Sequence, residues 1–256
     1  MINKPALIRF LEEAGDITRF TLRFFRELFH GRFEFNELLR QSFFIGYKSL
    51  GLVGLTAFIM GLVITIQSRP TLVEFGAEAW LPKMVSISLI REIVPVITAL
   101  ICAGKIGSGI GAELGSMRVT EQIDAMEVSG TNPMKYLVVT RVVAAVLTIP
   151  LLALLADAIA LYGGYLGCNI HGAVSWRLFW NQVFETNTYS DVIPAITKTF
   201  FFGFAVGIIG CYKGYNSRKG TEGVGRSANQ AVVIASLLIF ILDLIAVQIA
   251  DVLGLT

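Results

Sequence analysis

The chain has 256 residues, of which 54% are hydrophobic and only 16% charged; its mean hydropathy is +0.67 and its net charge +2. A soluble domain carries about 25% charged residues, so this composition points away from a soluble enzyme, and the small net charge gives no argument for nucleic acid. Three cysteines (Cys102, Cys168, Cys211) and two histidines (His30, His171) show no CxxC or Cys/His spacing. They read as packing residues, with no metal site and no disulfide frame expected.

In chain order, residues 1–42 come first. Lys4, Arg9, Arg19, Arg23, Arg26, Arg32 and Arg40 lie among acids, and no compact apolar core of a cleavable signal precedes them. Leu7, Ile8, Leu11, Ile17, Leu22, Phe25, Leu28 and Phe29 recur at roughly helical spacing. The pattern predicts an amphipathic helix lying in the headgroup region, the alternative being an ordinary soluble helix.

Residues 43–256 then read as a bundle of five membrane spans, the whole chain forming one all-α domain. Apolar stretches cover about 50–67, 85–102 with a glycine-rich continuation to about 115, 142–164, 192–212 and 230–250. Each suits a hydrocarbon core ~30 Å thick. Most of the 21 Lys and Arg residues fall before span one, between spans two and three, or between spans four and five. The positive-inside rule therefore places the N-terminus in the cytoplasm and the C-terminus outside. Gly107, Gly111 and Gly115, and Gly203 with Gly207, mark close helix approaches. Trp176 and Trp180 predict a short amphipathic helix at the outer interface.

Ionisable residues inside spans are costly unless paired or wetted. Counting inward at ~1.5 Å per residue, Arg91, Glu92, Asp157, Lys198 and Asp243 fall at one depth, roughly 10 Å below the outer surface. They read as one polar layer. Structural ion pairs, for example Lys198 with Asp243 or Asp157, are one account of it. For Arg91 and Glu92 a wet cavity opening outward is the other.

No GxxxxGK[ST], HExxH or GxSxG occurs, so an energy source is expected in another subunit. Between spans two and three, Thr120 is a good N-cap and Glu121 would favour the first turn. Ile123 and Met126 would share a face, and Gly130 and Pro133 would stop the helix. Such a two-turn amphipathic helix suits the groove of a separate motor protein.

The run from Leu89 to Glu127, with its Arg91-Glu92, Pro95, Ala103-Gly104-Lys105, Gly107-Ser108, Ala112-Glu113, Gly115 and Thr120-Glu121-Gln122, resembles the signature of the MlaE permease family. The likeness extends over essentially the whole chain. One departure is Lys105, where the family usually has Arg; charge is kept and bidentate pairing lost. The resemblance implies an ABC transporter permease, not itself an enzyme, in the bacterial inner membrane. It implies a homodimer bound to a cytoplasmic ABC ATPase that carries the ATP and Mg, with an MCE-domain lipid-binding protein outside. Phospholipid would move between inner and outer membranes, maintaining outer-membrane lipid asymmetry. Glu121, Gln122, Ile123, Asp124, Met126 and Glu127 would form the coupling helix. Arg91 and Glu92 would lie near the outward lipid cavity at the dimer interface; span one, with its apolar Leu55, Ile59, Leu62 and Ile66, is read from its residues as a wall for the acyl chains. Asp157, Lys198 and Asp243 would form the buried polar layer.

Two other readings remain. One is the same architecture importing another lipid such as a sterol. The other is an ion-coupled transporter using Asp157, Lys198 and Asp243 as a relay, against which an odd number of spans leaves no simple repeat pair.

Overall fold

The computed structural model describes residues 6–30, 34–172, 174–218 and 220–254. Lys4, Arg32 and Lys219, which entered the charge pattern above, lie outside these residues, as do the side chains of Leu7, Arg9 and His171. Among the described residues the protein is helical with no strand. Five helices are long and apolar enough to cross a membrane: Phe35–Glu74, Glu78–Val119, Met134–Ile170, Tyr189–Tyr215 and Thr221–Val252. Helices satisfy every backbone hydrogen bond within one segment, which hydrocarbon demands. The chain is a multi-pass membrane protein.

Each helix overruns its apolar stretch, because hydropathy registers only the part in hydrocarbon while the backbone stays helical beyond it. Three shorter helices complete the chain: Ala6–Leu28, Gln122–Val128 and Trp176–Thr186. The Gln122–Val128 helix lies at the basic end of the bundle, and the Trp176–Thr186 helix at the opposite, tryptophan end.

Packing begins with spans one and three, the most extensive helix pair. A methyl group placed on Gly61 would sit 2.0 Å from the Ala160 carbonyl oxygen, and one on Gly163 would sit 2.4 Å from that of Phe58. Only glycine permits this backbone approach. Spans three and four meet the same way. A methyl on Gly203 would lie 2.7 Å from the Ala145 carbonyl, and one on Gly207 3.0 Å from the Val142 Cα. Leu89, Val138, Ile149, Phe202 and Ile209 fill the fully buried centre. Span five is the outlier: only 11% of its apolar window is buried, and Val233, Leu237, Phe240 and Leu244 face outward.

The Ala6–Leu28 helix carries two apolar stripes. Phe20 and Phe24 are buried against Tyr212, Tyr215 and Phe204, while Ile8, Leu11, Leu22, Phe25 and Phe29 are exposed. Asn132 Nδ2 donates to Glu27 Oε2 (2.7 Å), and Lys213 pairs with Glu13, fastening the helix to the basic end. At the tryptophan end, Ser175 caps the Trp176–Thr186 helix by accepting from the Leu178 N–H (3.3 Å). Phe179 and Val183 of that helix are buried.

Candidate functional site

Three spans bring charges together near the tryptophan end. Arg91 and Glu92 lie on a π-helical turn, Leu89–Ile93, within span two. Such turns widen the helix locally and recur at functional sites. Span four faces them with Asp191 and Lys198, seven residues and so about 10 Å apart on one side of the helix. Arg91 donates from Nε and Nη2 to Asp191 Oδ1. Lys198 Nζ donates to Glu92 Oε2 (2.9 Å) and to Asp243 Oδ1 of span five (2.8 Å). Asp191 and Lys198 are only 3% and 5% exposed at their side chains, whereas Arg91 is 33% exposed. The buried Asp191 and Lys198 thus each meet opposite charge, which offsets their desolvation, and the guanidinium remains within reach of the outside.

Asp191 has a second task. Its Oδ2 accepts from the Thr188 N–H and hydroxyl, both at 2.8 Å, forming a capping box that starts span four. Helix start and ion pair are thereby one unit.

Beside this cluster runs a groove between spans four and five. Arg91, Glu92, Asp191 and Lys198 line its polar part. Ile193, Phe201, Leu242, Ile245, Ile249 and Leu253 line its almost wholly apolar continuation, with Pro194, Lys198, Ala246 and Ala250 common to both. The arrangement is that of an amphiphile: charge at one end, hydrocarbon along the rest.

At the basic end, Thr120 is not the N-cap expected from the sequence. It terminates span two, its hydroxyl donating to the Ser116 carbonyl (2.9 Å). Glu121 takes a left-handed conformation (φ 59°) as the turn, and the short helix starts at Gln122. The competing bond back to span two outweighs the capping preference of Thr120. The helix closes at Gly130 (φ 81°), with the Thr131 N–H bonded to the Met126 carbonyl and that of Gly130 to the Glu127 carbonyl, both 3.0 Å. Ile123 is fully buried and Met126 half-buried; Glu121, Gln122, Asp124 and Glu127 are exposed. Asp124 pairs with Arg118, and the Tyr215 hydroxyl donates to Glu127 (3.4 Å). Val128 stands 90% exposed beside them.

The profile of the family described as Permease MlaE matches residues 38–249. The chain belongs to the MlaE permease family. Its similarity to single relatives is spread along its length. It is 39% identical over 240 residues to a Rickettsia felis protein named "Probable ABC transporter permease protein", covering 91% of this chain and 90% of the relative. A Synechocystis protein of the same description is 37% identical over 217 residues, covering 85% and 82%. A Haemophilus influenzae protein named "Intermembrane phospholipid transport system permease protein MlaE" is 35% identical over 216 residues, covering 84% and 82%. This is an ABC transporter permease.

On this MlaE-type fold the sequence-predicted residues separate. Arg91, Glu92, Lys198 and Asp243 come together. Asp157 does not join them: its Oδ1 is buried without a hydrogen-bond partner among the described residues, since Lys198 is already shared by Glu92 and Asp243. Within one chain Leu55, Ile59, Leu62 and Ile66 do not line the groove. Leu55, Ile59 and Ile66 are exposed on the first span and Leu62 is half-buried. The apolar wall beside Arg91 comes instead from spans four and five. Asp191 was not anticipated; the Thr188–Asp191 spacing of a capping box before an apolar run was its signal.

Proposed function

We propose that this permease is the membrane subunit of a transporter that moves phospholipid between the inner and outer membranes and so maintains outer-membrane lipid asymmetry. The observation that carries the reading is the groove between spans four and five, whose charged mouth and apolar length match a phospholipid. The name of the Haemophilus influenzae relative supports the substrate class.

Extracting a two-chain lipid into water exposes about 30 methylenes at ~0.8 kcal/mol each, on the order of 25 kcal/mol. A workable machine keeps the chains against apolar protein throughout and uses ATP to change the shape of that surface. In this reading Arg91 meets the phosphate with a charge-assisted hydrogen bond, and Ile193, Phe201, Leu242 and Ile245 receive the acyl chains. A homodimer is expected, which offers the exposed Leu55, Ile59 and Ile66 a place against the partner subunit or the lipid. The cytoplasmic ABC ATPase engages Gln122, Asp124, Glu127 and Val128, and an MCE-domain protein receives lipid at the tryptophan end. The N-terminus is cytoplasmic and the Ala6–Leu28 helix rests in the headgroup layer on its free apolar stripe.

Purification in mild detergent from the native cells, followed by mass spectrometry of proteins and lipids, tests the reading. An ABC ATPase, an MCE protein and bound phospholipid are expected. Recovery of the chain without ATPase and without lipid would contradict it.

A further inference from the structure

We infer that a second phospholipid-headgroup site lies at the basic end, in a groove between spans one and two that carries Lys48 and Lys105. The inference rests on the phospholipid reading above and deepens it, by naming where the protein meets a headgroup in the cytoplasmic leaflet.

The floor of the groove is apolar, made by Phe44, Ile45, Ile106 and Ile110. Over it stand two ammonium groups. Lys48 Nζ sits 3.7 Å from the centroid of the Phe44 ring, and Lys105 Nζ donates to the Lys48 carbonyl oxygen. Both lysines are exposed, and neither has a carboxylate partner among the described residues. The groove's own carboxylate, Glu113, is taken by Arg141 (2.8 Å). Near the tryptophan end the buried Asp191 and Lys198 each meet opposite charge; here two positive charges are left facing one cavity. That asymmetry calls for an anion.

Depth selects which anion. Lys48 stands just before the apolar stretch 50–67, and Lys105 just after 85–102. Antiparallel neighbours thus present their ammonium groups at one level, the cytoplasmic boundary of the hydrocarbon. Exposed Phe43 and Tyr47 stack at the same level, centroids 5.3 Å apart, as aromatic residues do in the headgroup layer. Basic pockets between spans at this depth suit lipid phosphates. A π-helical turn, Ala103–Gly107, presents Lys105, as the turn Leu89–Ile93 presents Arg91.

The test uses the full complex in nanodiscs of phosphatidylglycerol, with photoreactive benzoylphenylalanine in place of Gln41, which lines this groove, or of Phe201, which lines the groove between spans four and five. Lipid adducts are read by mass spectrometry. The expected result is a phosphatidylglycerol adduct at position 41 that falls about tenfold in the Lys48→Ala/Lys105→Ala variant, the loss of one charged hydrogen bond or more. It should return with Lys48→Arg/Lys105→Arg and persist in excess inorganic phosphate. The adduct at position 201 should be unchanged throughout, which also shows that the variants fold. An adduct at 201 alone, or one at 41 indifferent to the lysines, overturns the inference and leaves the proposed function standing. Displacement by inorganic phosphate, or a protein adduct at 41, overturns it in favour of those occupants. No lipid at either position contradicts the proposed function itself.

Discussion

Lys198 holds two carboxylates at once from a position almost sealed from solvent, and everything around it follows from that. Its removal leaves Glu92 and Asp243 facing each other without a cation. Breaking a buried pair by deleting one partner costs about 3–5 kcal/mol. Lys198→Ala is therefore expected to lower the unfolding temperature of the purified protein sharply. Adding Asp243→Ala should recover part of the loss, because the half-exposed Glu92 can still be hydrated. A double variant no more stable than the single one in a thermal melt would refute the pairing. Counting residues inward from the span ends found Arg91, Glu92, Lys198 and Asp243, because desolvation makes such charges conspicuous in an apolar run. It also gathered in Asp157, since depth says nothing about which way a helix face points. Asp191 escaped because it sits in the first turn, where an acid is ordinary, and only its contacts reveal the second role.

At the scale of elements, the short Gln122–Val128 helix divides its residues between two jobs. Ile123 anchors it in the bundle, so Ile123→Ala should cost about 2–5 kcal/mol as a buried large-to-small change. Glu127→Arg and Val128→Asp lie on the exposed side. They should weaken co-purification of the ATPase while shifting stability by no more than about 0.5 kcal/mol. Stoichiometric ATPase in either variant would remove this helix from the interface. Glycine contacts make an equally sharp expectation. Gly61→Val must separate spans one and three and should destabilise by about 1–3 kcal/mol or more through overpacking, whereas Gly15→Ala meets nothing within 4 Å and should be harmless. Five spans were legible because hydrocarbon imposes a length; their ends were not, because polar helix carries no hydropathy signal. The π-helical turns that present Arg91 and Lys105 left no mark in the sequence that periodicity reads. Thr120 shows the limit of capping rules, a good cap residue claimed by the helix before it.

For the whole molecule, the distribution of Lys and Arg predicts an orientation that labelling can check. Cys102, Cys168 and Cys211 are all buried, so a cysteine introduced at the surface should dominate any thiol reaction. Gly254→Cys should react with an impermeant reagent from the periplasmic side, and Ser129→Cys only after the membrane is opened; the reverse pattern would invert the topology. The sparsely buried span five, the exposed face of span one and the free stripe of the N-terminal helix are apolar surface that the chain itself leaves uncovered. In the proposed function the charged and apolar groove is a phospholipid site and an ABC ATPase is the source of work. The most direct test of that account is transfer of labelled phospholipid from proteoliposomes containing this permease with its cognate ATPase and MCE protein. The account predicts transfer that requires hydrolysable ATP and falls at least about tenfold in Arg91→Ala, the equivalent of one lost charged contact. Transfer that proceeds without the ATPase and follows an imposed ion gradient would contradict it.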